Sequence, residues 1–216
     1  MLVDNPEGVY KQLLVAPFGI NSSICAFIDE EIAKGKGGYI CITANSITER
    51  EAIDKLKEAS GAGVEIQLIL RGICCMLPGI ADHTEDVHVT SIVGCFLERA
   101  RINRFGKGDG AKLYLPSADL MTRNLNRRVK IAFTIHNFKI EEQLRWILSC
   151  QLRGNLKAGY MMPGGLYRRK KSDLALAYIS QQEFMEQSFR EPTHYAPAKR
   201  PLSGRSPPSF GGSSAA

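Results

Sequence analysis

Arginine is the side chain whose placement in this sequence points to chemistry. Between Arg99 and Lys130 the chain carries Arg99, Arg101, Arg104, Lys107, Lys112, Arg123, Arg127, Arg128 and Lys130, against only Asp109 and Asp119. From Arg153 to Lys171 there is no acid at all. A guanidinium stays charged and presents a planar fork of donors that matches two oxygens of a phosphate or carboxylate. Clustered cations of this kind suit a polyanionic ligand; a solvated basic face would show the same pattern. Arg71 stands apart because of where it falls. It follows VEIQLIL (64–70), which alternates and then turns wholly apolar, as a central strand does. In open α/β sheets the carboxyl ends of such strands are where ligands bind.

Other reactive side chains carry less. His83 lies in a polar loop and His88 at a strand start, and both read as surface histidines. The six cysteines form no CxxC pair, and no histidine completes a zinc spacing near them. Cys74 and Cys75 follow a buried strand and read as packing residues. No metal site is expected within this chain.

The elements that must place the arginines follow from periodicity. Asn21 or Ser22 is expected to cap a helix carrying Ile24, Phe27, Ile28 and Ile32, which GKGG (35–38) ends. Tyr39–Thr43 reads as a short buried strand. Thr48 to Glu51 matches a capping box for a helix running to about Ser60. Strand, helix and strand within some thirty residues form a βαβ unit, so the two strands should be parallel. A long loop (71–86) leads to a strand at 87–93. Strands at 102–105 and 112–115 are expected to pair as a hairpin across GKGDG. A strand at 128–135 and an amphipathic helix at 141–152 follow.

Composition sets the frame. The net charge is +6 over 216 residues, and apolar residues suffice for a core until the sequence turns rich in Pro, Ser and Gly. Residues 1–170 are read as one domain, 171–189 as a C-terminal helix that is marginal in isolation, and 190–216 as a disordered tail. No apolar stretch approaches the length needed to cross a bilayer. The N-terminus shows no basic segment followed by an apolar run. A cytoplasmic, reduced protein is the expectation. The sequence lacks the stripe of aromatic residues on which single-stranded nucleic acid stacks, so nucleic acid is not the expected partner.

Several segments together resemble one family. YKQLLVAPF (10–18), ANSITEREAIDKLKEASGAGVEIQLILRGICC (44–75), SIVGCFLERARI (91–102) and SADLMTRNLNRRV (117–129) are similar to the C-terminal, second phospholipase-D-like domain of the long-form polyphosphate kinases, over roughly residues 9–168. The resemblance implies an α/β fold with a mixed β-sheet flanked by helices, a phospholipase-D-like half-domain. It implies reversible transfer of the terminal phosphate of ATP to polyphosphate, with Mg²⁺ and a phosphohistidine intermediate, the magnesium site lying outside this chain. Phosphoryl transfer asks the protein chiefly for positioning and charge neutralisation. By resemblance, Arg71, Arg99, Arg101, Ser117, Arg123, Asn124 and Arg128 form the ATP/ADP and polyphosphate site.

The same resemblance marks departures. The family reads FLEHSRI where this chain has Phe96 to Ile102, so its second catalytic histidine is Arg99 here. Thr43, Cys95, Leu120 and Lys130 replace the family's lysine, arginine, tryptophan and glutamate. A guanidinium cannot exchange protons near neutral pH as an imidazole does. The half bearing the phosphorylated histidine is not part of the matched segment. The expectation is a polyphosphate kinase segment that needs that other half for catalysis, or else a non-catalytic polyphosphate- or nucleotide-binding module or relic. A phospholipase-D-like hydrolase is disfavoured, since its histidine is lacking. The missing half, or a second copy of the chain, is the expected protein partner.

Overall fold

The computed structural model describes residues 13–169 and 177–190. The tail expected from residue 190 falls almost wholly on residues outside the described set. One nine-stranded mixed sheet organises the chain. Its strands are β1 (Leu13–Ala16), β2 (Tyr39–Ala44), β3 (Glu65–Leu70), β4 (Val87–Ile92), β5 (Ile102–Phe105), β6 (Lys112–Pro116), β7 (Lys130–Thr134), β8 (Ala158–Met161) and β9 (Tyr167–Arg169). Their order across the sheet is β1-β7-β6-β5-β2-β3-β4-β8-β9. β2, β3 and β4 are parallel neighbours, and antiparallel pairing extends the sheet on both sides. The expected βαβ unit is therefore present, with Tyr39 opposite Glu65 and Ala44 opposite Leu70.

Helices α1 (Ile20–Ile32), α2 (Arg50–Gly61), α3 (Thr122–Asn126), α4 (Phe138–Arg153) and α5 (Ser180–Arg190) complete the fold. α1 and α2 cover one face. Ile20, Ile24 and Ile28 recur every fourth residue on α1, and Ile53, Leu56 and Ala59 do the same service on α2. They pack on Ile40, Ile42, Ile66 and Leu68, the even-numbered side chains of β2 and β3. α4 covers the other face through Leu144 and Leu148 on Cys41, Ile69, Ile102 and Leu113. Strands sandwiched in this way must be apolar on both sides, which is why YICITA shows no polar alternation. α5 then lies on α4, with Phe184 edge-on to Trp146 at 5.5 Å. Burial pushes the Cys41 thiol up to about 12 and makes it a packing group.

Local capping differs from the sequence expectation. α1 begins at Ile20 with Gly19 as its N-cap, not Asn21 or Ser22. Asn21 instead donates to the Glu51 carboxylate across the α1–α2 interface. The capping box at Thr48–Glu51 does not form: α2 starts after Glu49, and no side chain caps it. The amides of Thr48 and Glu49 donate to the Leu120 carbonyl at 2.7 and 3.0 Å, so a tertiary acceptor replaces the local one. α4 starts earlier than its apolar spacing indicates, because the Asn137 side chain accepts from the amides of Lys139 and Ile140. β7 is shorter than the expected 128–135, which leaves Arg128 in the turn before it. Of the span 171–189 read as a C-terminal helix, residues 171–176 lie outside the described set, 177–179 are not helical, and α5 runs from Ser180 to Arg190.

Candidate phosphate-binding rim

The carboxyl ends of β2, β3 and β4 lie on one edge of the sheet, and the antiparallel neighbours bring β5 and β7 in and β6 out at that same edge. The seven residues expected to form the phosphate site fall there. Arg71 follows β3, Arg99 and Arg101 precede β5, Ser117 follows β6, Arg123 and Asn124 sit on α3, and Arg128 precedes β7.

Three loops at this rim are stitched together by backbone. The Asn45 carbonyl accepts from Gly72 at 2.7 Å, and the Ile73 carbonyl accepts from Ile47 at 2.9 Å. Ile47 bridges both Cys74 and Leu120. Ser46 Oγ accepts the Ile73 amide at 3.1 Å. Gly72 is needed for this approach: a Cβ there would lie 2.8 Å from Ser46 Oγ and 2.9 Å from the Asn45 carbonyl. The segment after β2 is thus the seam on which the Arg71 loop and the 117–121 turn are aligned.

Asp119 is the electrostatic centre of the rim, and it was not among the predicted site residues. Its Oδ1 accepts from Arg101 Nε at 2.9 Å and from the Asn45 amide at 2.8 Å, while Oδ2 accepts from Arg101 Nη2 at 3.3 Å. Burial alone would push its carboxyl up. The Arg101 hydrogen bonds, the Asn45 amide and the charges of Arg101 and Arg71 outweigh that and keep it below the usual carboxylate range. The signal was in the sequence, since Asp119 is one of only two acids in a long basic stretch.

The predicted residues divide by geometry. Arg101 is committed to Asp119, with about a third of its side chain exposed. Asn124 is buried and donates to the Asp119 carbonyl at 3.4 Å, so it supports the turn. Ser117 Oγ accepts the Ile131 amide at 3.0 Å, which leaves its own proton to donate outward. Arg71 is half-buried and lines a narrow cleft with Thr43, Glu98 and Ala100. Arg99, Arg123 and Arg128 are exposed, and none of these three nor Arg71 makes an ion pair among the described residues.

No described histidine reaches this rim. His88 is the second residue of β4 and His83 precedes that strand, both toward the opposite edge. His136 follows β7, also away from it, and lies 2.9 Å from Thr134 Oγ1. Among the described residues, no group of three or more His, Cys, Asp or Glu side chains could hold a metal ion. No helix among them is long and apolar enough to cross a membrane.

With the rim in place, comparison with known proteins is decisive. The family model for "Polyphosphate kinase C-terminal domain 2" matches residues 13–181. The chain belongs to that family. A polyphosphate kinase from Staphylococcus haemolyticus is 42% identical over 169 residues, covering 77% of this chain and 23% of the relative. Polyphosphate kinase 1 from Chlorobaculum tepidum is 41% identical over 180 residues, covering 82% and 26%. The crystal structure of the Porphyromonas gingivalis polyphosphate kinase superposes with a TM-score of 0.80 at 31% identity, over 88% of this chain and 30% of that one. Nuc from Salmonella typhimurium, a phospholipase D family member, shares the fold with a TM-score of 0.53 at 13% identity, over 70% of this chain and 97% of its own. This polyphosphate kinase domain spans about a quarter of the length of the curated relatives it matches.

Proposed function

We propose that this domain binds the phosphates of ATP or ADP and of polyphosphate at the arginine rim, and serves as one part of a polyphosphate kinase that moves the terminal phosphate of ATP onto the polymer. One observation carries the reading. Arg71, Arg99, Arg123 and Arg128 stand at one edge of the sheet with no ion-pair partner among the described residues. Other cations are paired with acids, Lys55 with Asp29 and Glu58, Lys112 with Glu30, Arg145 with Glu141, while Arg153, Lys157, Arg168 and Arg169 carry no such pair among the described residues. What sets the four arginines apart is their shared place at the strand ends. Unpaired guanidinium groups set along a strand-end rim are what a chain of phosphates needs.

On this reading the residues take the following roles. Arg101 and Asp119 form the fixed base, and Arg71 beside them contacts phosphate oxygens from the sheet. Arg99, Arg123 and Arg128 extend the positive surface along the polymer. Ser117 donates its hydroxyl proton to a phosphate oxygen. A magnesium ion would be carried by the nucleotide phosphates, because both Asp119 oxygens are already engaged. With Arg99 at the family's second histidine position and no described histidine near the rim, the chain does not complete phosphoryl transfer alone. His194 lies outside the described residues.

Calorimetric titration with long-chain polyphosphate tests binding. A measurable affinity that falls with salt is expected, and no binding at low salt would overturn the reading. Adding a protein that supplies the phosphorylated histidine should then yield ATP-dependent polyphosphate formation. Binding without turnover in that mixture would identify the domain as a non-catalytic polyphosphate module. The exposed Ile73, Val93, Phe96 and Leu97 beside the rim suit cover by such a partner or by a second copy.

A further inference from the structure

One carboxylate near the rim is conspicuously kept from the arginines. Glu98 immediately precedes Arg99 and lines the same cleft as Arg71. Yet it makes no ion pair among the described residues; both of its oxygens go to amides. Gln181 Nε2 donates to Oε1 at 2.8 Å, and Gln151 Nε2 donates to Oε2 at 3.2 Å. Both glutamines are buried. Gln151 on α4 is itself oriented, since its Oε1 accepts from Thr43 Oγ1 at 3.3 Å. Gln181 on α5 also grips the loop backbone, accepting from the Phe96 amide at 3.0 Å and donating to the Phe96 carbonyl at 2.7 Å. Gly94 is where the two surfaces meet: a Cβ there would stand 2.1 Å from Gln181 Oε1.

Resting on the phosphate-binding reading above, we propose that Gln181 and Gln151 are positioning residues that hold the Glu98 carboxylate off the neighbouring guanidinium groups, so that Arg71 and Arg99 stay unpaired for phosphate. A free carboxylate one residue from Arg99 and across a cleft from Arg71 would compete directly with a phosphate for the same guanidinium donors. An amide satisfies such a carboxylate without spending a cation. On this account α5 is part of the binding site, although it contributes nothing that touches ligand.

The test separates order from charge. Polyphosphate affinity and hydrogen exchange across residues 94–101 are measured for the full chain, for Gln181→Leu, and for Gln181→Leu combined with Glu98→Ala. Gln181→Leu should raise exchange at 94–101 and weaken affinity about tenfold, the scale of one hydrogen bond to a charged group. Adding Glu98→Ala should restore affinity to within about twofold while exchange stays raised, because the competing carboxylate is gone but the Phe96 grip is still lost. Gly94→Ala attacks the same contact from the loop side and should reproduce the first result. Normal affinity in Gln181→Leu, or no rescue by Glu98→Ala, would overturn the inference alone. Failure of the unmutated chain to bind polyphosphate would instead remove the reading beneath it.

Discussion

At the scale of single residues, the rim is a contrast between one arginine that is spent and several that are not. Arg101 is fastened to Asp119 by two hydrogen bonds, and the Asn45 amide completes the carboxylate. Because the folded state keeps Asp119 below its ordinary range, the pair contributes stability above the unfolded value near pH 4. That stability is lost as pH falls through the lower, folded value. Asp119→Asn should cost about 2 kcal/mol at pH 7, on the scale of hydrogen bonds to charged groups. It should also flatten the acid limb of stability below about pH 4, as read from urea midpoints across pH. A mutant whose acid limb matched the parent's would show that folding does not shift the Asp119 carboxyl. Arg71 makes the opposite test. It stabilises little through pairs of its own, so Arg71→Ala should leave the midpoint nearly unchanged yet weaken polyphosphate binding about tenfold. Arg71→Lys should recover only part of that, since an ammonium replaces the planar fork with a point charge.

At the scale of elements, the loop after β2 deserves the emphasis the arginines first attracted. Gly72→Ala should cost about 2 kcal/mol, as overpacking typically does, because the backbone carbonyl of Asn45 at 2.9 Å from the new Cβ cannot swing aside. It should also misalign Arg71, so chemical denaturation and polyphosphate titration should both register it. The sequence made the βαβ unit and the covering helices legible because Ile and Leu recur at two clean periods there. It made Arg71 legible through its place at a strand end. Three things were hidden for physical reasons. β8 and β9 are short strands at one end of the sheet, and the edge strand β9 is exposed throughout, so burial left no clear pattern to read. The start of α2 was hidden because the amides of Thr48 and Glu49 just before it donate to the Leu120 carbonyl, far away in the chain; a local motif cannot reveal a tertiary acceptor. The work of Gln151 and Gln181 was invisible because an amide bonds many partners equally well, and only the fold brings Glu98 between them.

At the scale of the whole molecule, two kinds of surface meet at the rim, and salt should drive them in opposite directions. The unpaired arginines and a net charge of +6 favour a polyanion and oppose contact between copies of the chain. Raising ionic strength screens both effects, so affinity for polyphosphate should fall steadily with salt. The loop at 93–97 carries the other surface. Val93, Phe96 and Leu97 are 73%, 57% and 59% exposed, and Ile73 on the neighbouring loop is 58% exposed. Burying such groups is favourable whatever the salt, at roughly 25 cal/mol per Å², and the like-charge repulsion that opposes it weakens as the Debye length shrinks to about 3 Å at 1 M. Self-association should therefore rise with salt over the range in which polyphosphate binding is lost. Sedimentation velocity at rising protein concentration, in low salt and near 1 M, measures it directly. Phe96→Ser with Leu97→Ser should abolish association at both salts while preserving the fold, because Gln181 grips the backbone of Phe96 and not its ring. A chain that stays monomeric throughout would mean that the apolar loop alone is too small to drive pairing. Association that instead weakens with salt would assign the contact to charge, and the exposed loop would lose its role as the surface awaiting a partner.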